Sequence, residues 1–509
     1  MSFTRHGKGR TLEEQKICSS AVQKYFYQTT THGIPAVYFN EGKTKKVIWS
    51  IIFFALLGSL SFNVANLLSE YFSYPIYQRV RDERPTEVKF PSVTICTASD
   101  YSKSSVTNET LENVGLFVSK IENNEVDYDS FGEWRNKMEQ EHLTHVHTTE
   151  FQHKVKSEFR PMLLKSLKGS CSFSTVKSCN YSRDFKLTFP SNEDKLCYTF
   201  NHNKSDPYFQ RGNGPLFGLS MVLYVNQSDY VPAMGFDNGI GLTVYIHAVN
   251  TYPFLGVHAI SVPPGYSSNI AMHKIVTTRL PPPYPSRCTD GQDILNIFPG
   301  DYTAMSCEVS CQYDYIYKKC GSIEPFMRSF MPPEQYPRTK SSDVEDVLEC
   351  RNRILMELYE HGFHEKCNCP PPCVDEVYHH IVSMTKWPAL VDIPLYRIAF
   401  AKALSLEPNK LTREFIRSNF LQIRVYFDEL GYKHVYEQCK ISLAELFSNL
   451  GGQLGLWIGY SLFSIIELMA MLVTVAYLFV KQKCTNRTNV KSNGISHFEE
   501  KKSDDENAQ

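Results

Sequence analysis

Two long apolar segments limit the folds that this chain can adopt. The first is VIWSIIFFALLGSLSFNVANLL, residues 47–68, and the second lies at about 446–480. Each segment is long enough to cross the roughly 30 Å hydrocarbon layer of a membrane as a helix that rises about 1.5 Å per residue. Nothing between them is as long and as apolar. We therefore predict a membrane protein with two transmembrane helices.

The basic residues beside these segments predict the orientation of the chain. Lys43, Lys45 and Lys46 precede the first segment, and Lys481 and Lys483 follow the second. Cytoplasmic flanks of transmembrane helices are enriched in lysine and arginine, so both termini are expected in the cytoplasm. The chain between the two helices is then extracellular, as in a multi-pass protein of the plasma membrane surrounded by membrane lipid.

This topology divides the chain into five predicted parts. They are a cytoplasmic N-terminal arm at 1–46, a first transmembrane helix at 47–70, an extracellular domain at 71–442, a second transmembrane helix at 443–480 and a cytoplasmic tail at 481–509.

Cysteines and glycosylation sequons support an extracellular middle domain. All of the 15 cysteines except Cys18 and Cys484 lie in it. Oxidised cysteines and N-x-S/T sequons are both typical of extracellular domains. We expect glycosylation at the sequon asparagines of this domain, which are Asn108, Asn180, Asn203 and Asn226.

Local patterns predict an α+β extracellular domain. Short strands separated by turns, such as GLSMVLYV and GLTVYIHAV, fill residues 171–288. Residues 289–375 have a helical pattern and are rich in cysteine. The segment 421–430, LQIRVYFDEL, alternates apolar and polar residues and predicts a strand that leads toward the second apolar segment.

The motif CNCPPPC, with Cys367, Cys369 and Cys373, has two interpretations. A metal site is one, but zinc sites favour paired C-x-x-C spacing, which is absent here. Disulfides are the interpretation that we favour, because the predicted compartment oxidises thiols. We predict no metal and no other cofactor.

The second apolar segment contains a stripe of glycines. Gly451, Gly455 and Gly459 recur every fourth residue, so a helix would present one face without side chains. Such a face can serve ordinary packing between the two spans, or it can line a pore shared by several copies. Glu467 favours the pore, because a carboxylate in hydrocarbon costs a few kcal/mol unless it faces water or a partner. Gly459 and Ser461 would then narrow the path, where carbonyl and hydroxyl oxygens replace the water around a cation.

Motifs in order along most of the chain resemble the degenerin / epithelial sodium channel / acid-sensing ion channel family. The pair His32–Gly33 is similar to the family's cytoplasmic gating motif, and FPSVTIC at 90–96 to its signature after the first span. The segments GLTVYIH, VPPGY and LPPPY resemble its palm and ball, and residues 307–373 resemble its thumb. SNLGGQLGLWIGYS at 448–461 resembles its second span with a Gly-x-Ser filter.

The resemblance implies a membrane α+β fold, in which two transmembrane helices carry a disulfide-rich ectodomain with palm, ball, finger and thumb. It implies a trimeric channel, as a homotrimer or a heterotrimer with related subunits, that conducts sodium ions and is blocked by amiloride. The implied selectivity filter is Gly459, Tyr460 and Ser461, and the implied gating residues are His32, Gly33, Tyr74 and Tyr284. The implied pore-lining residues are Ser448, Asn449, Gly451, Gly452, Gly455 and Glu467.

Matching the family's cysteine pattern also implies six disulfide pairs. They are Cys96–Cys197, Cys171–Cys179, Cys288–Cys373, Cys307–Cys369, Cys311–Cys367 and Cys320–Cys350. Spacing alone does not choose among the many possible connectivities.

Departures from the family pattern bear on selectivity and gating. Tyr460 stands in the filter where most relatives have a smaller residue, and Tyr74-Pro75-Ile76 stands where acid-sensing members carry histidines. Arg351 and Met356 replace acids of the thumb. We predict opening by an extracellular ligand such as a neuropeptide, as in the invertebrate peptide-gated branch. Proton gating and constitutive opening are the alternatives.

Other classes of protein fit the sequence less well. An ATP-gated receptor also has two spans, but its nucleotide-binding lysine pattern is not found. A non-conducting two-span receptor gives no reason for the glycine stripe or for Glu467. No nucleophile–base motif indicates an enzyme, and a net charge of -1 gives no indication of a nucleic-acid partner.

Overall fold

A computed structural model describes most of the predicted extracellular domain and both apolar segments. The described residues are 25, 29, 31, 34–39, 42–97, 112, 119–120, 123, 170–188, 197–230, 239–254, 259–323, 327, 330–332, 334–337, 344–361, 367–477 and 480. The chain divides into two compact units, a helical unit (Met1–Ile76 with Cys439–Gln509) and a β-rich unit (Tyr77–Gln438). The predicted gating pair His32–Gly33, the sequon Asn108 and the C-terminal tail lie outside the described residues.

The described α-helices are distributed over both units. They are α1 Ile34–Phe39, α2 Lys43–Phe72, α3 Tyr181–Asp184, α4 Ala304–Cys320, α5 Val344–His361, α6 Ile393–Leu404, α7 Arg413–Asn419, α8 Leu443–Ile458 and α9 Leu462–Tyr477.

The described strands precede α8 in the chain. They are β1 Ile76–Glu83, β2 Val88–Lys89, β3 Ser92–Thr97, β4 Cys171–Phe173, β5 Lys177–Ser178, β6 Phe185–Thr188, β7 Cys197–Phe200, β8 Phe209–Gln210, β9 Leu219–Tyr224, β10 Leu242–His247, β11 Ile260–Val262, β12 Tyr266–Thr278, β13 Val374–Lys386 and β14 Phe420–Cys439.

Two sheets organise the β-rich unit. A seven-stranded sheet has the order β13-β12-β14-β9-β4-β5, with β1 also paired to β14. Its β12–β14 pair is parallel, whereas β12 pairs with β13 in antiparallel fashion along its whole length. A five-stranded sheet has the order β11-β10-β3-β7-β6, and β2 pairs with β8. The strand predicted at 421–430 is longer than expected, because pairing with β12 continues to Tyr436 after a register shift near Met272.

Alternating apolar residues build the core of this unit. Val93 and Ile95 of β3 and Ile423, Val425 and Phe427 of β14 are all fully buried. They belong to one cluster that includes side chains from both sheets. Periodicity of two places such residues on one face of a strand, and burying that face is what stabilises a sheet in water.

The helices α4 and α5 form a second core of their own. Helix α4 begins at a capping box, in which Thr303 and Ser306 satisfy each other's backbone N–H groups. It ends at Gly321, whose φ of 67° is a left-handed conformation that glycine adopts without a Cβ clash. Val309 and Ile316 of α4 and Leu358 of α5 are buried in this cluster.

Six disulfides cross-link described residues of the β-rich unit. Cys96–Cys197 joins β3 to β7, and Cys171–Cys179 closes the β4–β5 hairpin. The remaining four involve α4, α5 and the CNCPPPC motif, and they are Cys288–Cys373, Cys307–Cys369, Cys311–Cys367 and Cys320–Cys350. These pairs are the ones that the family resemblance implied. All three cysteines of CNCPPPC are therefore in disulfides, as the favoured interpretation required, and Cys439 is free.

Candidate functional site

The second apolar segment forms two helices with a sharp bend between them. Helices α8 and α9 meet at an angle of 80°, and the break spans residues 459–461. The first segment is different, because α2 runs without interruption from Lys43 to Phe72 and contains an 18-residue stretch with a mean hydropathy of 2.0. Among the described residues, α2 is the helix that can cross a membrane by length and composition, and α8 with α9 qualifies as one broken span. The sequence analysis took residues 443–480 as one transmembrane helix, whereas the structure divides residues 443–477 into α8 and α9.

Gly459 ends α8. Its φ of 60° and ψ of 30° are left-handed, and its N–H donates to the carbonyl oxygen of Gly455 at 3.1 Å. The N–H of Tyr460 donates to Leu454 at 3.1 Å. A residue with a Cβ is strained at this φ, which explains why glycine stands here. The sequence placed Gly459 on the helical glycine face, whereas the structure places it in the turn that follows.

Ser461 begins α9 on the other side of the break. Its hydroxyl accepts the N–H of Ser464 at 3.4 Å, and its own N–H donates to the Ser464 hydroxyl at 3.1 Å. This reciprocal pair has the pattern of a capping box, with serine at the third helical position. Ser464 is fully buried, whereas Ser461 is exposed. Ser461 therefore both starts a helix and presents its backbone at the bend.

One face of α8 is packed. Helix α8 lies against α2, and Leu446 is its buried residue. Leu450, Gln453 and Trp457 share that face of the helix and are half-buried. The indole N–H of Trp457 donates to the Gln453 side chain at 2.7 Å, which satisfies both polar groups in an apolar helix. The packing between the two spans therefore uses large side chains.

A different face of α8 carries almost no side chains. Ser448, Gly451, Gly452 and Gly455 follow the i, i+3, i+4, i+7 spacing that places residues on one side of a helix, and all four are exposed. A Cβ added at any of the three glycines would meet no atom within 4 Å. We call these four residues the bare face. Ordinary packing between the spans does not account for it, because no described atom of α2 lies within 4 Å of the place where a Cβ would stand on these glycines.

The bend leaves polar backbone where a continuous helix would have none. The carbonyl groups of Leu456 and Trp457 lack their helical donors, because the N–H of Tyr460 bonds to Leu454 and the N–H of Ser461 bonds to the Ser464 hydroxyl. The C-terminal end of a helix also carries partial negative charge, which favours a cation. Carbonyl oxygens and the Ser461 hydroxyl are the kind of groups that can replace the hydration shell of a small cation.

The other predicted pore residues flank these elements. Asn449 is exposed on α8 beside the bare face, and Glu467 is half-buried on α9, beyond the bend. Tyr460 lies in the turn itself and is half-buried.

The two predicted gating tyrosines belong to different units. Tyr74 follows α2 with a positive φ of 50° and donates its N–H to Tyr71 at 3.1 Å. Tyr284 lies in the turn 280–287 of the β-rich unit. Their pairing stays a prediction.

The turn that carries Tyr284 is held by a carboxylate that the sequence did not single out. Glu437 of β14 accepts the N–H of Leu280 at 3.0 Å and the hydroxyl of Ser286 at 2.5 Å. Only 9% of Glu437 is exposed. A lone glutamate in an alternating strand gives no such signal, because its partners are distant in sequence.

Comparisons with known proteins agree with these observations. The model of the amiloride-sensitive sodium channel family matches residues 25–471. Acid-sensing ion channel 1 of Gallus gallus is 26% identical over 505 residues, which is 95% of this chain and 89% of that protein. Acid-sensing ion channel 2 of Homo sapiens is 26% identical, with 96% of this chain and 92% of that protein covered. Degenerin mec-4 of Caenorhabditis briggsae is 30% identical over 62% of this chain and 39% of that protein.

Proposed function

Because this chain belongs to the amiloride-sensitive sodium channel family, we propose that three copies of it, or of it and related subunits, assemble into a sodium-selective channel of the plasma membrane. Family members are ion channels and not enzymes. In the proposed trimer, α8 of each copy turns its bare face toward a shared axis, and both termini lie in the cytoplasm.

The bare face is the observation that carries this proposal. Large side chains pack α8 against α2, while Ser448, Gly451, Gly452 and Gly455 are left open. Exposed glycine in a helix costs roughly 1 kcal/mol relative to alanine, so three of them in one turn and a half need a reason. A water-filled path between copies gives that reason, since side chains at these positions would narrow it.

We propose that the bend at 459–461 is the selectivity filter. Backbone carbonyl groups at the bend and the Ser461 hydroxyl would coordinate sodium, and Tyr460 would point away from the path. Amiloride would block this channel, because the family is named for its sensitivity to amiloride. Asn180 and Asn203 are exposed, and the Asn180 side-chain oxygen caps α3 through its contacts with Ser182 and Arg183. We propose that these two asparagines and Asn226 carry glycans.

For gating, we propose an extracellular ligand such as a neuropeptide. Met356 of α5 is 62% exposed, and the Arg351 side chain bonds to Asn352. By the family resemblance, acid-sensing members carry acids at these two positions. The alternative stimulus is the proton, because several relatives are named acid-sensing ion channels. A constitutively open channel is a further alternative within the family.

Current recording tests the channel directly. Oocytes that express the chain are exposed to sodium with amiloride, with acid and with a panel of peptides. We expect acid or one of the peptides to evoke an inward sodium current, and we expect amiloride to reduce that current. With the protein present at the surface, absence of current under every condition would favour a non-conducting receptor or an obligatory partner subunit.

Substitution of Ser461 tests the filter. Because Ser461 also caps α9, loss of the hydroxyl costs about 1 kcal/mol of helix stability in addition to any effect on ions. Ser442→Ala is the matched control, since Ser442 caps α8 in the same way with Glu445. We expect Ser461→Ala to shift the reversal potential between sodium and potassium while Ser442→Ala leaves it unchanged. Equal reversal potentials in all three proteins would remove Ser461 from the filter.

Substitution of Ser448 tests the outer part of the bare face. The family resemblance places Ser448 where a bulky residue holds degenerins open. We therefore expect Ser448→Phe to produce a standing sodium current without any stimulus. A variant that stays silent although it reaches the surface would count against the resemblance at this position.

A further inference from the structure

A cavity of about 300 Å³ lies in the β-rich unit, between the five-stranded sheet and the aromatic residues of the α4–α5 core. This is the size of a small-ligand site. Its floor includes the buried residues Ser92, Thr199, His247 and Tyr252, whereas Lys186 and Gly300 at its mouth are exposed. The cavity is therefore accessible from solvent at one end and closed by the sheet at the other.

One wall of the cavity is a continuous hydrogen-bond network. Thr188 contacts Thr199 at 3.0 Å, Thr199 contacts Thr94 at 2.8 Å, and Thr94 contacts Nε2 of His247 at 2.8 Å. Nδ1 of His247 lies 3.0 Å from the hydroxyl of Thr251. Polar side chains that hold one another in this way keep fixed positions, so this wall is preorganised.

Another part of the cavity lining is aromatic. The ring of Tyr252 packs edge-on against Phe330 at 5.5 Å between centroids, and both rings also contact Phe298. Pro253 and Pro299 complete this side of the cavity. A flat apolar group could stack here, since aromatic rings prefer edge-to-face or offset contacts at such distances.

The charge in the cavity has one sign. Lys186 is the charged residue among its described lining, and no described lining residue is an aspartate or a glutamate. Two acids outside the lining are engaged by basic side chains, because Asp301 accepts from Lys204 and Asp184 accepts from Arg183. Nδ1 of His202 is buried and has no hydrogen-bond partner in the part of the chain that the structure describes. Burial, reinforced by the Lys186 charge, lowers the pKa of the His202 imidazole against the opposing effect of Asp184, and a neutral ring that carries its proton on Nδ1 can donate to an anion.

We propose that this cavity binds a small extracellular ligand that carries an aromatic ring and a carboxylate, with the ring on Tyr252 and Phe330 and the carboxylate at Lys186 and His202. Ligands of this class include free aromatic carboxylates and peptides that end in an aromatic residue with a free C-terminus. A role of this site in opening the channel rests on the proposed function, whereas binding itself does not.

The position of the cavity gives such a ligand a way to influence the channel. It would contact the five-stranded sheet through Lys186 and Thr188, and the aromatic end of the α4–α5 core through Tyr252 and Phe330. A ligand that touches two substructures stabilises the arrangement in which both contacts are made, and it shifts the population toward that arrangement.

Binding to the full-length protein in lipid nanodiscs tests the proposal. The probe is 3-phenylpropionate, titrated by ligand-observed NMR, with 3-phenylpropylamine as the cationic analogue of the same shape and empty nanodiscs as the blank. We expect saturable binding of the carboxylate and none of the amine. Lys186→Glu should weaken carboxylate binding about tenfold or more, because a charge-assisted hydrogen bond is replaced by repulsion. Lys410→Glu is the matched control, since Lys410 is an exposed lysine that does not line the cavity.

Each outcome is decisive for one of the two proposals. Equal binding of the carboxylate and the amine, no saturable binding, or equal weakening by both lysine variants would overturn the site. Lys186 is exposed, so its substitution leaves the core intact and a loss of binding is not a loss of folding. Specific binding in a protein that conducts no current would keep the site and overturn the homotrimeric form of the proposed channel. A sodium current together with no specific binding would support the proposed channel function and overturn the proposed ligand site.

Discussion

Helices α2, α8 and α9 leave most of their apolar side chains exposed, whereas the β-rich unit buries them. In α2, α8 and α9 the buried residues are Leu60, Leu446 and Ser464, and large side chains such as Phe62 and Leu456 are 68% and 76% exposed. In the β-rich unit, large aromatic residues are completely buried, among them Phe90, Phe200, Phe400, Phe420 and Phe427. The β-rich unit is thus held together by its own core and disulfides. The helices leave large apolar side chains exposed, which lipid and further copies of the chain would cover in the proposed trimer, and the bare face of α8 is part of that exposed surface.

The largest effect is expected where the uncovered surface is proposed to line the pore. Gly451→Leu places a side chain on the bare face, where a Cβ meets no atom within 4 Å of its own chain. Folding should survive, since leucine is a better helix former than glycine. We expect most of the sodium current to disappear while the amount of protein at the surface stays normal, as measured by voltage clamp and surface biotinylation.

Gly58→Leu is the control for this substitution. Gly58 lies on α2, and a Cβ there also meets nothing within 4 Å. We expect it to keep its current, because α2 does not line the proposed path. If both variants conduct normally, or if both lose their current, the assignment of the bare face to the pore is wrong.

Substitution of one phenylalanine in each unit compares how much each side chain contributes to the stability of the protein. Phe420 is fully buried and stacks on Phe400 with ring centroids 3.8 Å apart, whereas Phe447 of α8 is 65% exposed. Phe420→Ala should cost about 3–5 kcal/mol and remove most of the protein from the cell surface. Phe447→Ala should change surface expression little, because no core in its own chain depends on it. Equal loss in both variants would show that α8 is packed at this position.

Acid should weaken the β-rich unit through one buried histidine. Burial lowers the pKa of His247 from 6.5 to about 4. The unfolded chain therefore binds a proton that the folded unit does not, and stability falls as pH decreases from about 6.5 to about 4. The full loss is about 3 kcal/mol. Thermal unfolding of the purified protein should show this slope, and His247→Gln should flatten it within that range. An unchanged slope in the variant would assign the acid sensitivity to other groups.

The smallest expected effect is the difference in stability lost when either of two disulfides of the β-rich unit is removed. Cys96–Cys197 closes a separation of 101 residues and Cys171–Cys179 one of only 8. In the chain-entropy model, removing the longer link costs about 2 kcal/mol more than removing the shorter one. Paired Cys→Ala variants should differ in thermal midpoint in that order. The reverse order would show that local packing around the hairpin outweighs loop length.

Sequence patterns predicted the elements that depend on local periodicity. The two apolar segments, the helical pattern of 289–375 that contains α4 and α5, and the strand predicted at 421–430 all follow from the local spacing of apolar residues. The disulfide pairs in the structure match those implied by the family's cysteine pattern, which spacing alone could not choose. In the candidate site, the sequence singled out Ser448, Gly451, Gly452 and Gly455, which the structure leaves open on one face.

Other features depend on backbone geometry or on distant partners. The bend follows from the left-handed conformation of Gly459 and from the Ser461–Ser464 cap, and a glycine within an apolar run can equally continue a helix. Glu437 acquires its role only when β14 passes beside the turn 280–287. The cavity at Lys186 and Tyr252 joins segments that are far apart in the chain. Periodicity carries no information about any of these.

The position of the bare face in the assembled protein is the most direct test of the proposed pore. A cryo-electron microscopy map of the full-length protein in lipid nanodiscs would show it. We predict a trimer in which Ser448, Gly451, Gly452 and Gly455 of all copies surround the symmetry axis, with the bend at 459–461 forming its narrowest point. A map in which these residues face lipid or α2, with no conduit along the axis, would contradict the proposal.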